Sequence, residues 1–418
     1  MVPWPQRVLR WRAEGVRRFG ACAKRIRFTI DWCIVQGWYA MRIGIDARPL
    51  ARGAAGISRA VYSVVRELQR LDDHNQYFLY CNRPFDLPFE NPRWQRTVQP
   101  LYSLLPGSLW LQSKAFARAA RHDDLDVFWG TSFTLPAGLP EATRKVLSIY
   151  DLVWRRYPQS MSWYNRMLSC AFAERSISRA DTIMTISEST KQDLESELQV
   201  PAAKIKVMRL GVDAHFRPYE PADAARHIAQ KYGSSENYIL SVGTIEPRKN
   251  LATLIEAIGI LKGQGKLAHQ LVVAGAKGWG KSRIAESILK WKLTESDVKF
   301  LGFIPETDLP LLYSGAAVFV FPSVYEGFGL PLVEAMACGV AIVASNTSSI
   351  PEVVEDAALL VSPYDSEAMA AGILRLLNDT PLRAALIERG LRRAQDFTWE
   401  ATARRVLHTL TGVAPSRT

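Results

Sequence analysis

The chain has 418 residues, of which 48% are hydrophobic and 22% charged, and its formal net charge is +11. This length exceeds what one hydrophobic core normally serves, so two large globular domains are expected. The composition is that of an ordinary globular protein, and no low-complexity tract appears. The five cysteines and six histidines are scattered without metal or redox spacing. That pattern supports neither a zinc site nor a Cys/His nucleophile, and it suits a reducing cytoplasm.

The first forty residues carry more than half of the net charge. They contain eight Lys/Arg against two carboxylates, a net +6, which leaves +5 for the other 378 residues. With four tryptophans, residues 1–40 predict a segment that lies on an anionic membrane surface; the alternative is a misassigned extension before a true start at Met41. They lack an uninterrupted apolar stretch, so neither a cleavable signal nor a membrane span is predicted. No nucleic-acid recognition motif accompanies the charge, so no nucleic-acid partner is expected.

A first domain is predicted over residues 41–215. Residues 41–46 have the apolar alternation of a strand, and a loop containing Gly53 and Gly56 then leads to a helix over residues 58–71. A glycine-rich turn at a helix start can bind an anion. A loop of purely structural role is the alternative, because a glycine pair alone is a weak signal.

Two later strands of this domain are followed by polar side chains. Residues 145–150 predict a strand that ends at Tyr150 and is followed by Asp151. Residues 182–185 predict another strand, after which comes Ser187. For Asp151 the alternative is a cap on the next turn, and for Ser187 it is an ordinary helix N-cap.

Residues 211–221 break the helical and strand periodicities, so a second domain is predicted over residues 216–395. Within it, a buried strand with Gly243 leads to the adjacent cations Arg248 and Lys249, just before a helix over residues 251–261. Two cations at a strand-to-helix turn can hold a diphosphate. Ordinary surface charge is the alternative.

Residues 275–282 match the phosphate-binding pattern G-x-x-x-x-G-K-[ST] after a predicted strand. A chance match of this short pattern is not rare, and no strand ending in a clear magnesium-binding Asp stands out. A P-loop ATPase or kinase is therefore retained as an alternative. No G-x-G-x-x-G follows the first strand, which argues against a dehydrogenase.

The most informative segment begins with a predicted buried strand over residues 317–322. A turn with Gly327 and Gly329 follows, and a helix is predicted to begin at Leu330, with Pro331 in its first turn. The glycines allow backbone N–H groups to approach a ligand, and the positive end of the helix favours an anion. A diphosphate suits this position.

Two carboxylates flank that turn. Glu326 precedes it and Glu334 lies one turn into the helix, so one can accept hydrogen bonds from sugar hydroxyls and the other from a ribose. The alternative is a capped helix with a solvated acid at each end. Since strands alternate with helices in both halves, each half is predicted to be a doubly wound parallel α/β domain.

Three motifs, in this order, resemble the family 4 retaining glycosyltransferases and, among them, bacterial mannosyltransferases of surface-polysaccharide biosynthesis. They are Gly-Thr-Ile-Glu-Pro-Arg-Lys-Asn at 243–250, Ala-Gly-Ala-Lys-Gly-Trp at 274–279 and Phe-Pro-Ser-Val-Tyr-Glu-Gly-Phe-Gly-Leu-Pro-Leu-Val-Glu-Ala-Met at 321–336. The likeness extends from about residue 41 to residues 397–400. It implies the GT-B fold, in which two Rossmann-like domains face each other across a cleft and a C-terminal segment, here residues 396–418, returns to the first domain.

The resemblance also implies roles for individual residues. Arg248 and Lys249 would hold the diphosphate, Glu326 the transferred sugar and Glu334 the ribose. The implied donor-binding residues are Gly56, Gly243, Glu326, Gly327, Phe328, Gly329, Leu330 and Glu334. The implied catalytic residues are Arg248, Lys249, Glu326 and Asp151, and Tyr150 and Ser187 would line the acceptor side. Many relatives have His-Asp where this chain has Tyr150-Asp151, so the role of the phenol is left open.

The resemblance implies a metal-independent, retaining hexosyltransferase that needs no cofactor. The reaction that it implies moves mannose from GDP-mannose to a hydroxyl of a glycan or lipid-linked saccharide in the assembly of lipopolysaccharide or a similar surface polysaccharide. The expected location is the cytoplasm, peripheral to the inner face of the plasma membrane. The alternatives are UDP- or dTDP-sugar donors, a nucleotide-sugar epimerase or phosphorylase of the same fold, and a non-catalytic module that binds the donor without turnover.

Overall fold

The computed structural model describes residues 40–52, 56–160, 163–276, 278 and 282–412. The predicted membrane-surface segment, except for residue 40, lies outside the described residues. So do residues 277 and 279–281 of the P-loop match and residues 413–418 of the predicted C-terminal segment.

A seven-stranded parallel sheet organises the first half of the chain, in the order β3-β2-β1-β4-β5-β6-β7. Its strands are β1 (Arg42–Asp46), β2 (Gln76–Cys81), β3 (Trp94–Val98), β4 (Val127–Gly130), β5 (Arg144–Ile149), β6 (Thr182–Thr185) and β7 (Ile205–Val207). The strand order reverses between β1 and β4, and in such sheets the crevice at the C-terminal strand ends is the ligand face.

The helices of the first half connect these strands. They are α1 (Gly56–Leu71), α2 (Gly107–Leu111), α3 (Lys114–His122), α4 (Val153–Arg156), α5 (Trp163–Arg179) and α6 (Glu188–Leu198), with short 3-10 helices at Arg48–Arg52, Pro100–Tyr102, Pro158–Ser160 and Ala202–Lys204. Helix α1 begins at Gly56, two residues earlier than predicted. Gly56 is therefore the first residue of the helix and not part of the loop.

The second half contains a six-stranded parallel sheet in the order β10-β9-β8-β11-β12-β13. Its strands are β8 (Tyr238–Val242), β9 (Gln270–Ala274), β10 (Val298–Gly302), β11 (Val318–Phe321), β12 (Ile342–Ser345) and β13 (Leu359–Val361). Here the order reverses between β8 and β11, the two strands that precede the basic turn and the two-glycine turn. The two parallel sheets confirm the predicted class of two doubly wound α/β domains.

The remaining helices follow the same alternation. They are α7 (Pro221–Tyr232), α8 (Leu251–Gly263), α9 (Ser282–Lys290), α10 (Leu309–Ser314), α11 (Leu330–Ala337), α12 (Ile350–Val354), α13 (Ser366–Asn378), α14 (Thr380–Ala394) and α15 (Trp399–Thr411), and a 3-10 helix lies at Pro247–Lys249. Strand β11 is buried at every position, as its uninterrupted apolar sequence predicts.

The last helix, α15, packs against α1 in the first half of the chain. Thr402 Oγ1 donates a hydrogen bond to the carbonyl of Arg209 (2.7 Å), and Arg144 Nη2 donates to the carbonyl of Thr409 (3.1 Å). At Gly211 a Cβ would lie 2.3 Å from the backbone nitrogen of Trp399, so the close approach of the chain there requires glycine. The exact segment boundaries, at 215/216 and 395/396, stay a prediction.

Candidate functional site

The turn after β11 lies against the turn after β5, so the ligand ends of the two sheets meet. A Cβ on Gly327 would lie 2.0 Å from the carbonyl oxygen of Tyr150, which only glycine allows. In the same turn, the Tyr325 hydroxyl accepts a hydrogen bond from the Leu152 amide (3.1 Å) and donates to Asp193 (2.7 Å). In this conformation the missing side chain of Gly327 makes room for the opposing backbone, whereas the sequence predicted room for a ligand.

Arg248, Lys249 and Glu326 form a charged cluster beside this turn. Lys249 Nζ lies 2.7 Å from Oε1 of Glu326, and Arg248 Nη1 lies 2.9 Å from Oε2. Arg248 also donates to the carbonyl of Tyr325 (2.5 Å) and pairs with Glu246. The structure thus brings together the two cations and the first of the two carboxylates, which are more than seventy residues apart in the sequence.

The cluster is charged at neutral pH. Burial alone would raise the pKa of Glu326, but the adjacent Lys249 and Arg248 lower it to about 2. For Arg248, burial acts to lower the pKa, yet Glu326 and Glu246 raise it above its ordinary value. An anion that entered here would compete with the Glu326 carboxylate for both cations.

Asp151 reaches this cluster from the first sheet. Its Cβ lies 3.1 Å from the position that a Cβ on Gly327 would take. Asp151 Oδ1 accepts a hydrogen bond from the Val153 amide (3.0 Å), so the carboxylate caps the start of α4. The pKa of Asp151 is raised above its ordinary value, mainly by burial and also by the nearby Glu326 carboxylate. The hydrogen bond from the Val153 amide and the charge of Arg248 act in the opposite direction. Asp151 is half-buried and is the carboxylate that the first domain contributes beside the cluster.

Tyr150 and Ser187 lie behind this surface. The Tyr150 ring is buried against Phe133, with ring centroids 5.8 Å apart, and burial followed by the nearby Asp46 raises its pKa. Ser187 is fully buried, accepts a hydrogen bond from the Thr190 amide (3.0 Å) and donates to the Thr190 hydroxyl (2.9 Å). Ser187 is therefore the N-cap of α6, the alternative its sequence context left open. Neither side chain can contact an acceptor directly in this conformation.

Helix α11 begins at Leu330, as predicted. Gly329, at its N-cap, has φ +106°, a left-handed conformation that favours glycine. Phe328 is buried against Phe397, with ring centroids 5.7 Å apart. The first-turn N–H groups of a helix have no intrahelical acceptor, and the helix dipole makes this end positive. The positive end of α11 therefore lies at this turn, although Gly327, Phe328 and Gly329 are buried in this conformation.

Asn250, the last residue of the motif at 243–250 and not among the predicted site residues, holds the basic turn in place. It has φ 54°, in the left-handed region that Asn tolerates better than most residues. Its side-chain amide donates to the carbonyls of Pro322 (3.1 Å) and Pro363 (2.6 Å), and the carbonyl of Arg248 accepts from the Val324 amide (2.9 Å). These bonds clamp the two cations to the turn after β11.

Gly243 lies under the same turn. It has φ +155°, and a Cβ on it would lie 3.5 Å from a side-chain carbon of Lys249. Its carbonyl oxygen would be 2.0 Å from a Cβ on Gly275, so the two glycines let strands β8 and β9 end in close contact.

Glu334, the second carboxylate, is held from both halves of the chain. Arg59 of α1 forms an ion pair with it, and the Tyr313 hydroxyl donates to its Oε2 (2.8 Å). Arg59 also lies 3.4 Å from Glu306 and 3.9 Å from Asp213. Arg59 was not among the predicted site residues, because no local pattern shows that its partner lies 275 residues away.

We expect Arg59→Ala to lower the free energy of unfolding by about 3 kcal/mol, because it leaves the buried Glu334 carboxylate without its cation. The measurement is urea unfolding at pH 7. Arg66→Ala on the same helix is the matched control: Arg66 pairs with Glu67 and Asp213 but its side chain is 38% exposed, so its loss should cost about 1 kcal/mol or less. If both variants lost the same unfolding free energy, the Arg59–Glu334 ion pair would contribute no more than the more exposed pairs of Arg66.

The facing sheets, with a charged cluster where their C-terminal ends meet, define a two-domain protein of the GT-B class. The structure is similar to that of sucrose-phosphate synthase from Thermosynechococcus elongatus, with a TM-score of 0.69 at 23% identity, covering 88% of this chain and 98% of that one. At this identity the likeness shows the fold alone. It confirms the predicted GT-B arrangement.

The family follows from the sequence comparisons. A family model described as Glycosyltransferase Family 4 matches residues 54–216, and one described as Glycosyl transferases group 1 matches residues 225–393. The O-antigen chain mannosyltransferase B of Escherichia coli is 35% identical over 284 residues, 66% of this chain and 71% of that protein. The chain belongs to the family 4 glycosyltransferases, which confirms the predicted family and makes it an enzyme of glycosyl transfer.

A second relative, the serotype-specific mannosyltransferase WbdA of Escherichia coli, is 33% identical over 229 residues. That match covers 54% of this chain but only 28% of WbdA, so the chain spans a minor part of the larger protein. The group 1 match includes residues 275–282 and assigns this stretch to the glycosyltransferase domain, against the P-loop alternative.

The described ranges contain neither a metal-binding cluster nor a membrane-spanning helix. No group of three or more His, Cys, Asp or Glu side chains there is arranged to hold a metal ion. Nor does any helix in those ranges combine the length and apolarity that crossing a bilayer requires.

Proposed function

We propose that the protein transfers mannose from GDP-mannose to a hydroxyl of a glycan or lipid-linked saccharide in surface-polysaccharide assembly, with retention and without a metal or other cofactor. The observation that carries the proposal is the cluster of Arg248, Lys249 and Glu326 beside the start of α11. The mannosyltransferase relatives support the choice of sugar.

The donor diphosphate binds between the two cations and the backbone amides of Phe328, Gly329 and Leu330. Its negative charge replaces that of Glu326 beside Arg248 and Lys249, which frees the carboxylate to accept hydrogen bonds from the sugar hydroxyls. Because the turn is buried between the domains in this conformation, donor entry requires the domains to separate. During transfer the cations and amides stabilise the charge that develops on the leaving diphosphate.

The nucleoside and the far side of the phosphates lie toward α1. Glu334 accepts from the ribose hydroxyls while Tyr313 keeps its carboxylate oriented. Among the residues that the structure describes, none has a heavy atom within 4 Å of the position that a Cβ on Gly56 would take, and we propose that the phosphates approach the start of α1 there. Gly243, whose missing side chain faces Lys249, leaves that lysine free to approach them from the second domain.

Asp151 orients the transferred sugar or the acceptor hydroxyl from the first domain. Tyr150 and Ser187, both buried, shape the wall behind it and do not touch the acceptor.

Residues 1–40 bind the anionic inner face of the plasma membrane, which places a cytoplasmic enzyme near a lipid-linked acceptor. No nucleic-acid partner is proposed.

The donor proposal predicts that GDP-mannose raises the melting temperature without magnesium. At 100 times Kd the stabilisation is about 2.7 kcal/mol. The measurement is a thermal-shift panel of GDP-, UDP-, dTDP- and ADP-sugars, and ATP, each with and without magnesium. Lys249→Ala should reduce the shift at a fixed donor concentration, because it removes one of the two cations proposed to bind the diphosphate, whereas Lys266→Ala, at an exposed lysine of the same domain, should leave the shift unchanged. The proposal would be contradicted if the melting temperature rose only with ATP and magnesium and with none of the nucleotide sugars.

A further inference from the structure

An exposed apolar segment lies between β3 and α3, and we call residues 100–109 the leucine loop. Its side chains Leu101, Leu104, Leu105 and Leu109 are 88%, 95%, 41% and 40% exposed. These are four of the ten large exposed hydrophobic residues among those the structure describes. Single exposed apolar residues are ordinary, but a group of four within nine residues marks an interaction surface.

The loop backbone is held by buried anchors. Asn82, 4% exposed, donates to the carbonyls of Tyr102 (3.0 Å) and Leu105 (3.2 Å). Trp110 is fully buried and donates to Gln99 Oε1 (3.0 Å), which closes the other end of the loop. The leucines are therefore turned outward by a hydrogen-bonded scaffold and are not the side chains of a frayed end.

The stretch of sequence that contains the loop is basic. Residues 91–122 contain five Lys/Arg and no Asp or Glu, although at the chain's average composition about three carboxylates would fall in a stretch of this length. Four of the cations, Arg96, Lys114, Arg118 and Arg121, are exposed. Exposed leucines flanked by cations, without carboxylates, match the apolar interior and negative headgroups of an anionic bilayer.

The loop also lies at the ligand edge of the first sheet. At Gly107, the first residue of α2, a Cβ would lie 2.9 Å from Arg48 Cδ. Arg48 in turn donates to Asp46 at 2.8 and 2.7 Å, and Asp46 is the last residue of β1. A buried ion pair thus connects the loop to the C-terminal end of the strand at the sheet's switch point.

We infer that the leucine loop inserts into the surface of an anionic bilayer and holds the acceptor side of the cleft against the membrane. The lipid-linked nature of the acceptor rests on the proposed function, but bilayer binding by the loop does not. The leucine loop is also separate in sequence from residues 1–40, so the two segments can be tested independently.

The first test is cosedimentation of the full chain with phosphatidylcholine vesicles, with and without about one-third phosphatidylglycerol. Leu101→Ser/Leu104→Ser should weaken partition onto the anionic vesicles about tenfold or more, because two nearly fully exposed leucines lose their apolar contact. The matched control is Leu289→Ser/Phe303→Ser, which removes side chains that are 76% and 73% exposed in the second domain. It should bind like the wild type.

Unchanged partition of the loop variant, or equal binding of the wild type to neutral and anionic vesicles, would overturn the inference. A second measurement separates the loop from residues 1–40: an environment-sensitive dye on Leu104→Cys should shift to the blue on anionic vesicles, and the same dye on Leu289→Cys should not. An equal response at both positions also overturns it. The loop variant should keep the GDP-mannose thermal shift, so failure of the docking surface is distinguishable from failure of the donor proposal.

Discussion

Lys249→Ala and Arg248→Ala are each expected to lower kcat about 100- to 1000-fold at saturating donor and acceptor. Each variant removes a cation that, on the proposed mechanism, stabilises the leaving diphosphate, and loss of one such donor costs about 2.7–4 kcal/mol. The measurement is the initial rate of sugar transfer with the donor that the thermal-shift panel identifies. Lys249→Ala is the cleaner variant, because Arg248 also bonds the Tyr325 carbonyl and Glu246 and its loss disturbs the turn itself.

The matched control is Lys262→Ala. Lys262 lies on helix α8, pairs with Asp297 at 3.0 Å and is 21% exposed, close to the 18% of Lys249, but it lies away from the cluster. It should keep kcat within a factor of about two, as expected for a residue with no part in the transition state. Full activity in both cluster variants would disprove the assignment of the two cations to the diphosphate.

Glu326→Gln is expected to lower kcat by about 100-fold, since the amide keeps the shape of the side chain but loses the charged acceptor proposed for the sugar hydroxyls. Stability should also fall, because Glu326 pairs with two cations at 2.7 and 2.9 Å while only 9% exposed. Initial rates and urea unfolding at pH 7 measure the two effects.

The pH dependence has a definite sign. The folded-state pKa of Glu326 is lowered from 4.5 to about 2, so its ionised form stabilises the fold above pH 4.5. That contribution is lost as the pH falls from 4.5 through 2, and the stability difference between wild type and Glu326→Gln should shrink in this window. Glu256→Gln, which removes a more exposed pair with Lys290, is the control and should show little difference at any pH. A pH-independent difference for Glu326→Gln would contradict the account.

Much of the fold was predictable because its elements depend on local patterns. Apolar runs such as residues 317–322 specify buried parallel strands, and Pro331 in a first turn marks a helix that begins at Leu330. The basic turn after β8 and the carboxylates around the turn after β11 were also evident. Parallel strands place their C-terminal ends at one edge of a sheet, so motifs that follow neighbouring strands can be predicted to lie close together from the sequence alone.

What the sequence alone determined is therefore the α/β class, the family motifs and the side chains that meet at the ends of β8 and β11. The tertiary structure decided which contacts those side chains make. Gly327 packs on the backbone of Tyr150, and Arg59 pairs with Glu334, 275 residues further along the chain. Such contacts depend on how two separately folded sheets dock, and no periodicity or spacing within either half encodes that geometry.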